Sequence, residues 1–473
     1  MKIKIPIDEI KYNSSSYVDP NSRVFEWKNE IYRAISKDKE QFYLSFFQSK
    51  LFADLQTKGW MIGTQITEYS LDGYAFVVKH DRIPFLSYCV EWPAVMLKDA
   101  ALLTLKVCQE LAGRNLSLQD AYPWNVYYNY ADPVFIDAGS IVEAPQELIW
   151  TPYQQFCQFF LYPLYLSSAG LSQAAKTMLF DYINGISEEN VIRMLPFIYK
   201  LIHPQVLKRV VMPYWLGAVM QNMTGKMKAF TKEISNKIDL AKIRIKFLKE
   251  LISDVNNIKL PIKSSNWHKY YGDDEWSSLN GEAERNQKQQ LIVEIIGRLK
   301  PDSVLDMACN RGLFAIQAAS MGSRVIAFDK DENCVAQLYL DAKEKGLKIL
   351  PLVMDVLNPT PAFGWNSRQF PSAVERFQSE MVFAFAIIHH LVFRQYQNFD
   401  RIAEMLSAYT KNWVLVEFPL PEDEKVKAMW LDRCSWYNME NFTRSLGAYF
   451  IIEGVYDSFP STRKILLCQK KLK

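Results

Sequence analysis

No Cys-x-x-Cys pair occurs in this chain of 473 residues, and its seven cysteines stand singly at Cys89, Cys108, Cys157, Cys309, Cys334, Cys434 and Cys468. The five histidines show no ligand spacing either, so a structural zinc site is not expected. An odd number of isolated thiols fits a reducing compartment, and a cytoplasmic location is the expectation. The opening MKIKIPIDEIKYN lacks the apolar core of a signal peptide. Long apolar runs are missing too. The longest, Phe159 to Leu166 with Pro163 inside it and Met381 to Ile388, fall far short of a bilayer span. Charge of one sign is also lacking: 55 basic against 52 acidic residues leave a net charge of +3. That balance favours neither nucleic acid nor an anionic membrane as the main partner.

What is present is core-forming material. Hydrophobic residues make up 49% of the chain and aromatic residues 14%, enough for packed interiors. The length exceeds what one core can organise, so at least two domains are expected. Early residues read as short strands: Arg23–Trp27 and Glu30–Ile35 around a Lys28-Asn29 turn, then two strands within Ile66–Lys79 around Asp72-Gly73. Residues 93–113 carry helical spacing in Met96, Leu97, Ala100, Leu103, Val107 and Leu111. The pattern stays helical from about 150 to 252. Its basic stretch Lys226–Lys249 reads as a solvated helix face, because Ile238, Leu240, Ile243, Phe247, Leu248 and Leu251 leave an apolar side to bury. A joint is expected within Asn256–Asp274.

After residue 285 strands alternate with helices. Ser303–Met307, Arg324–Phe328, Ile349–Met354, Met381–Ile388 and Trp413–Phe418 read as strands, with helices over Phe314–Met321 and Cys334–Lys345. Such alternation implies βαβ crossovers and a doubly wound parallel sheet. Open sheets of this kind bind ligands at the carboxyl ends of their strands. The first of those ends carries Asp306-x-Ala308-x-Asn310-x-Gly312, a turn of small residues or residues tolerant of positive φ, which lets backbone approach a ligand. Asp329 ends the second strand, 23 residues after Asp306, where a carboxylate can accept both ribose hydroxyls. Asp355 follows the third strand and suits an adenine amino group, which separates S-adenosylmethionine (SAM) from NAD. Each acid also has an ordinary role open to it, as a cap or a turn residue. Their succession at three consecutive strand ends favours the nucleoside.

On the acceptor side, His389 and His390 follow strand four directly, where a neutral imidazole can take a proton from an attacking hydroxyl or amine. Glu417, at the end of strand five, is a second polar candidate, either catalytic or in a salt bridge. Trp267, Tyr270 and Tyr271 read either as a lid over a sulfonium or as packing at the domain joint.

At these residues the sequence resembles class I SAM-dependent methyltransferases related to a rhizobial nodulation protein. The resemblance includes Tyr88-Cys-Val-Glu-Trp-Pro93, Leu118-Gln-Asp-Ala-Tyr-Pro-Trp-Asn125, Val134-Phe-Ile-Asp-Ala-Gly-Ser140, Asn358-Pro-Thr-Pro-Ala-Phe-Gly-Trp365, Ala386-Ile-Ile-His-His-Leu391 and Val416-Glu-Phe-Pro419. It implies a kinase-like front region fused to a SAM-binding domain, with a glycan or small molecule as acceptor. Asp120-x-x-x-x-Asn125 with Asp137 is similar to the catalytic-loop and metal-binding pattern of kinases and aminoglycoside phosphotransferases. There the first acid orients the acceptor hydroxyl, while Asn and the second acid hold magnesium on ATP. The phosphate clamp is weaker. No glycine-rich loop precedes the first strands, Lys79 lies only 41 residues before Asp120, and Arg33, at 87 before, is a poor mimic of a point-charge ammonium.

These readings give an α/β fold class, a Rossmann-like methyltransferase sheet joined to an N-terminal α+β kinase-like domain. The expected parts are a degenerate kinase-like domain over 1–255, a linker and lid over 256–285, and a methyltransferase domain over 286–473. The expected function is SAM-dependent methyl transfer to a hydroxyl or amine, with His389 or His390 as base. A bifunctional protein with an active ATP- and magnesium-dependent phosphotransferase is the alternative, and a scaffold with both sites vestigial a third. Oligomeric state is not legible.

Overall fold

A computed structural model describes residues 3–145, 150–214, 239–263, 273–280 and 284–472. The chain divides into two compact units, one of residues 1–261 with 364–370, the other of 262–363 with 371–473.

The first unit is α+β. A five-stranded antiparallel sheet is built from β1 (Lys11–Tyr12), β2 (Ser22–Trp27), β3 (Glu30–Ser36), β4 (Thr64–Ile66) and β5 (Tyr74–His80), in the order β1-β2-β3-β5-β4. The hairpin β2–β3 turns through Lys28 and Asn29, both at positive φ, as two-residue hairpin turns demand. Ile5, Phe25, Trp27, Tyr32, Ala34, Leu71 and Val77 close over one face of it. The second hairpin read from the sequence is rearranged. Tyr74–His80 pairs with Thr64–Ile66, whereas Tyr69–Ser70 leaves to pair in parallel with Ile3–Lys4. Helix α1 (Ala94–Ala112) follows, with Met96, Leu97, Ala100, Leu103, Val107 and Leu111 buried at helical spacing. The loop after it leads into a short hairpin, β6 (Val126–Asn129) and β7 (Asp132–Phe135). Part of the basic stretch lies outside the described residues. The remainder belongs to α2 (Leu240–Asn256), which buries Leu248, Leu251 and Val255 and keeps Lys242, Lys246 and Lys249 exposed.

The second unit is a seven-stranded sheet with helices between its strands. It comprises α3 (Gln287–Leu299), β8 (Ser303–Met307), α4 (Leu313–Ser320), β9 (Arg324–Asp329), α5 (Glu332–Glu344), β10 (Ile349–Val353), β11 (Ser379–Ala384), α6 (Ile388–Phe393), α7 (Phe399–Tyr409), β12 (Thr410–Pro419), α8 (Met439–Leu446), β13 (Phe450–Asp457) and β14 (Arg463–Lys470). Strand order is β10-β9-β8-β11-β12-β14-β13. Strands β8 to β12 are mutually parallel, and β14 runs antiparallel between β12 and β13. The chain thus winds outward on both sides of β8, and the order reverses there. The central strands read as unbroken apolar runs because both faces are covered: every residue of β8 is buried.

Strand four is shorter than its apolar run. It ends at Ala384, and Ala386 takes a left-handed φ of 51°. Ile388 opens a helix instead of extending the strand, so His389 and His390 lie in the first turn of α6.

Leu305 has no exposed surface at the centre of β8. Replacing it with alanine should lower unfolding stability by about 2–5 kcal/mol, through lost burial and the cavity left behind. Urea unfolding of the full chain followed by circular dichroism measures this.

Candidate functional site

Three alternate residues of the turn after β8 are left-handed: Ala308 at φ 56°, Asn310 at 54° and Gly312 at 79°. An alanine there is uncommon and costs energy, so the surroundings must hold it. Part of the hold is visible. Asp329, at the end of β9, accepts the Asn310 N–H through Oδ2 at 2.8 Å and the Asp331 N–H through Oδ1 at 2.9 Å. Asn310 Oδ1 accepts from the Arg311 N–H at 2.7 Å. Gly312 has a second reason to be glycine. A Cβ at that position would lie 2.5 Å from Leu338 Cδ1 on α5.

Asp306, Asp329 and Asp355 stand at or just past the carboxyl ends of three adjacent strands. Asp306 is buried, and its carboxyl is pushed up to about 8, chiefly by burial and then by the charge of Asp329. Burial also raises Asp329, against the two backbone hydrogen bonds it accepts. Asp355 is half-buried and accepts the Leu357 N–H at 2.9 Å, the turn role open to it from sequence.

On the other side of β8, Glu417 has no exposed surface. Its Oε1 lies 2.9 Å from Lys288 Nζ and 3.2 Å from Ser458 Oγ. Its Oε2 accepts the Ala386 N–H at 2.8 Å and stands 3.5 Å from Arg463 Nη1. Arg463 in turn donates to Asp423 at 2.9 Å. Burial alone would raise Asp423, but Arg463, Thr462 and the Lys425 N–H hold it below its ordinary value. Lys288 is buried between two rings, its Nζ 4.8 Å from the Phe314 centroid and 4.7 Å from that of Phe385, and burial pulls its ammonium down. Glu417 is therefore a strut that fixes the left-handed turn before α6. Sequence reasoning missed Lys288, Arg463 and Asp423. One signal was available: Lys288, Ile292 and Ile295 share an apolar helix face, an unusual place for a lysine.

His389 is buried, and its Nδ1 has no hydrogen-bond partner among the described residues. Burial, followed by His390, lowers it to about 3, and burial with Lys330 lowers His390 to about 4. Both imidazoles are neutral near pH 7. Beside the turn, Arg311 lies 4.7 Å from the Trp276 ring. The proposed lid residues Trp267, Tyr270 and Tyr271 lie outside the described residues.

In the first unit, Asp137 does not stand free to take a metal. Its Oδ1 is 2.9 Å from Arg33 Nη2. Asp120 is bonded by Gln155 at 3.5 Å, and Asn125 closes a short turn whose carbonyl accepts the Ile136 N–H at 2.9 Å. No group of three or more His, Cys, Asp or Glu side chains among the described residues could hold a metal ion. The residues present do not fit magnesium-bound ATP. Lys79 is engaged elsewhere, 2.8 Å from Glu30.

Strand order, the reversal at β8 and the left-handed turn together define the second unit as a Rossmann-like sheet of the SAM-methyltransferase fold. The chain is, over nearly its whole length, a homologue of the nodulation protein NoeA of Rhizobium meliloti (strain 1021), 25% identical over 452 residues that span 92% of this chain and 90% of the relative. No family model matches. Solved structures it is similar to include magnesium protoporphyrin IX methyltransferase (ChlM) from Synechocystis PCC 6803 with bound SAH, at 16% identity over 43% of this chain and 97% of that one, with a TM-score of 0.30. Another is the bifunctional kinase-methyltransferase WbdD, at 19% identity over 42% of each chain, with a TM-score of 0.29.

Two outcomes follow from the buried charges. Glu417→Gln should cost roughly 3–5 kcal/mol, because it leaves the Lys288 ammonium buried without its counter-charge. A Glu417→Leu, Lys288→Met double variant should recover a large part of that loss in a double-mutant cycle of urea unfolding.

The folded value of Asp306, about 8, lies above its ordinary 3.8, so the native state binds the proton that the unfolded chain releases. Stability contributed by this group falls as pH rises towards 8. His389 and His390 act in the opposite sense: their depressed values, about 3 and about 4, remove stability as pH drops below the ordinary 6.5. Between pH 6.5 and 8 the unfolding midpoint should therefore decline. Asp306→Asn should flatten that decline in a thermal melt series.

Proposed function

We propose that this protein is a class I SAM-dependent methyltransferase that places a methyl group on a hydroxyl or amine of a small molecule or glycan. The observation that carries the reading is the turn 308–312, with its three left-handed residues clasped by Asp329 at the switch point of the sheet. A turn of this shape brings backbone against a nucleoside and its methionyl tail without side chains intervening. The residues fit the cofactor. Each Asp329 oxygen uses one lone pair on backbone and retains another for a ribose hydroxyl. Asp355 stands past the third strand, where it suits the adenine amino group, and Ala308, Asn310 and Gly312 supply the backbone cradle. Asp306 is buried at the carboxyl end of β8, just ahead of that turn.

When bound, SAM would supply a sulfonium-activated methyl group to the acceptor's oxygen or nitrogen, the carbon–sulfur bond breaking in line and S-adenosylhomocysteine leaving. The chain's contribution is alignment and proton removal. His390, half-buried in the first turn of α6, is the candidate base, and His389 packs against it with ring centroids 4.3 Å apart. Their depressed values keep both imidazoles unprotonated and able to accept, but make them weak bases, so orientation carries more of the rate than proton transfer. Glu417 takes no proton in this scheme. It holds the Ala386 turn from which α6 starts.

Isothermal titration of the full chain with SAM should give one site per chain. Asp329→Ala should abolish that binding while retaining the wild-type circular dichroism. An absence of heat at millimolar SAM with wild-type protein would sink the assignment. Untargeted mass spectrometry of deletion and wild-type extracts should then reveal a product one methyl group heavier, lost in a His389→Ala, His390→Ala variant.

A further inference from the structure

We propose that the acid cluster of Asp19 and Asp137 in the first unit is neutralised from within. The Arg33 guanidinium occupies the place where a divalent cation would balance the acids, and the cluster takes neither nucleotide nor metal.

Arg33 is 5% exposed in the middle of β3. Its Nη2 lies 2.9 Å from Asp137, and its Nη1 lies 3.3 Å from Asp19 and 2.8 Å from Ser22 Oγ. Its Nε donates to His80 Nε2 at 3.3 Å. An imidazole that accepts at Nε2 must carry its proton on Nδ1, which faces Thr64 Oγ1 at 2.8 Å, and that hydroxyl donates to the Ile62 carbonyl at 2.9 Å. His80 is therefore neutral, in line with burial lowering it to about 3. One cation thus serves the two acids it touches, and Asp120 is close enough that Asp137 and Asp19 raise it, after burial.

The Asp19 side of this arrangement is built. Asp19 lies on the loop between β1 and β2, accepts the Asn21 N–H at 2.8 Å and takes the Ser22 hydroxyl in a short hydrogen bond. Asn21 Nδ2 reaches the Gly139 carbonyl at 3.3 Å, and the Tyr43 hydroxyl donates to the same carbonyl at 2.7 Å. Gly139 has no room for a side chain. A Cβ there would lie 2.2 Å from Arg33 Nη1 and 2.5 Å from Asp19 Oδ2. The loop that leads into β2 therefore delivers a carboxylate, Asp19, to the buried guanidinium beside Asp137. A triphosphate would have to displace Asp19 from Arg33, and a magnesium ion would have to displace Arg33 from Asp137. Neither exchange is favoured: the first leaves the part-buried Asp19 without its counter-charge, and the second strips the buried Arg33 guanidinium of one of its acids.

The test is thermal unfolding of the full chain. Wild-type midpoints should not move with millimolar magnesium, manganese or magnesium-ATP. Arg33→Met leaves the acids facing one another and should lower the midpoint by roughly 5–15 °C. Magnesium or manganese should then raise it again, by taking the guanidinium's place. The triple variant D19N/R33M/D137N removes all three charges and should recover stability even where R33M alone does not fold. Stoichiometric magnesium-ATP binding by the wild type that disappears in Asp137→Ala would overturn the proposal. So would an R33M protein as stable as wild type or indifferent to metal, or a triple variant no more stable than R33M.

Discussion

A carboxylate sealed from water must find its partners within the protein, and Glu417 imposes that demand at the centre of the second unit. It is met from four directions: Lys288 on the helix before β8, Arg463 at the start of β14, Ser458 after β13, and the backbone N–H of Ala386 beyond β11. The acid thereby ties the helix before the first strand, the fourth and fifth strands and the antiparallel closing pair into one arrangement. Breaking any of these contacts leaves a buried polar group unmatched, which costs more than the contact itself contributes. The histidine-bearing turn before α6 is set by elements this carboxylate joins.

The two units handle buried acids by the same means and to different ends. In the second, Lys288 and Arg463 hold the acid that fixes a turn. In the first, Arg33 engages Asp137 together with Asp19. Asp120, Asn125 and Asp137 keep the spacing of a catalytic loop, but spacing does not reveal whether a carboxylate is already engaged.

The architecture of the second unit was legible because its strands are buried on both faces. Val304-Leu305, Val325-Ile326 and Leu350-Pro351-Leu352 cannot be mistaken for solvated segments, and the positive-φ turn was foreseeable from Asn310 and Gly312. Strand four was read too long because Ile387 and Ile388 continue its apolar run. Nothing in the identity of Ala386 announces a left-handed backbone, which is held by a carboxylate 31 residues away in sequence. The Lys288–Glu417 and Arg33–Asp137 pairs escaped for the same reason, since each joins residues more than a hundred positions apart. Tyr69–Ser70 escaped too, its pairing partner being the distant Ile3–Lys4.

The position of β14 bears on how the chain is made. It lies between β12 and β13, although it is synthesised after both. Until residues 463–470 have left the ribosome, β12 has an unpaired edge and Glu417 lacks its guanidinium. Before β14 is available, the five parallel strands can pair but the sheet cannot close. A nascent chain arrested short of this point would expose a sticky strand edge, of the kind that recruits chaperones or neighbouring chains.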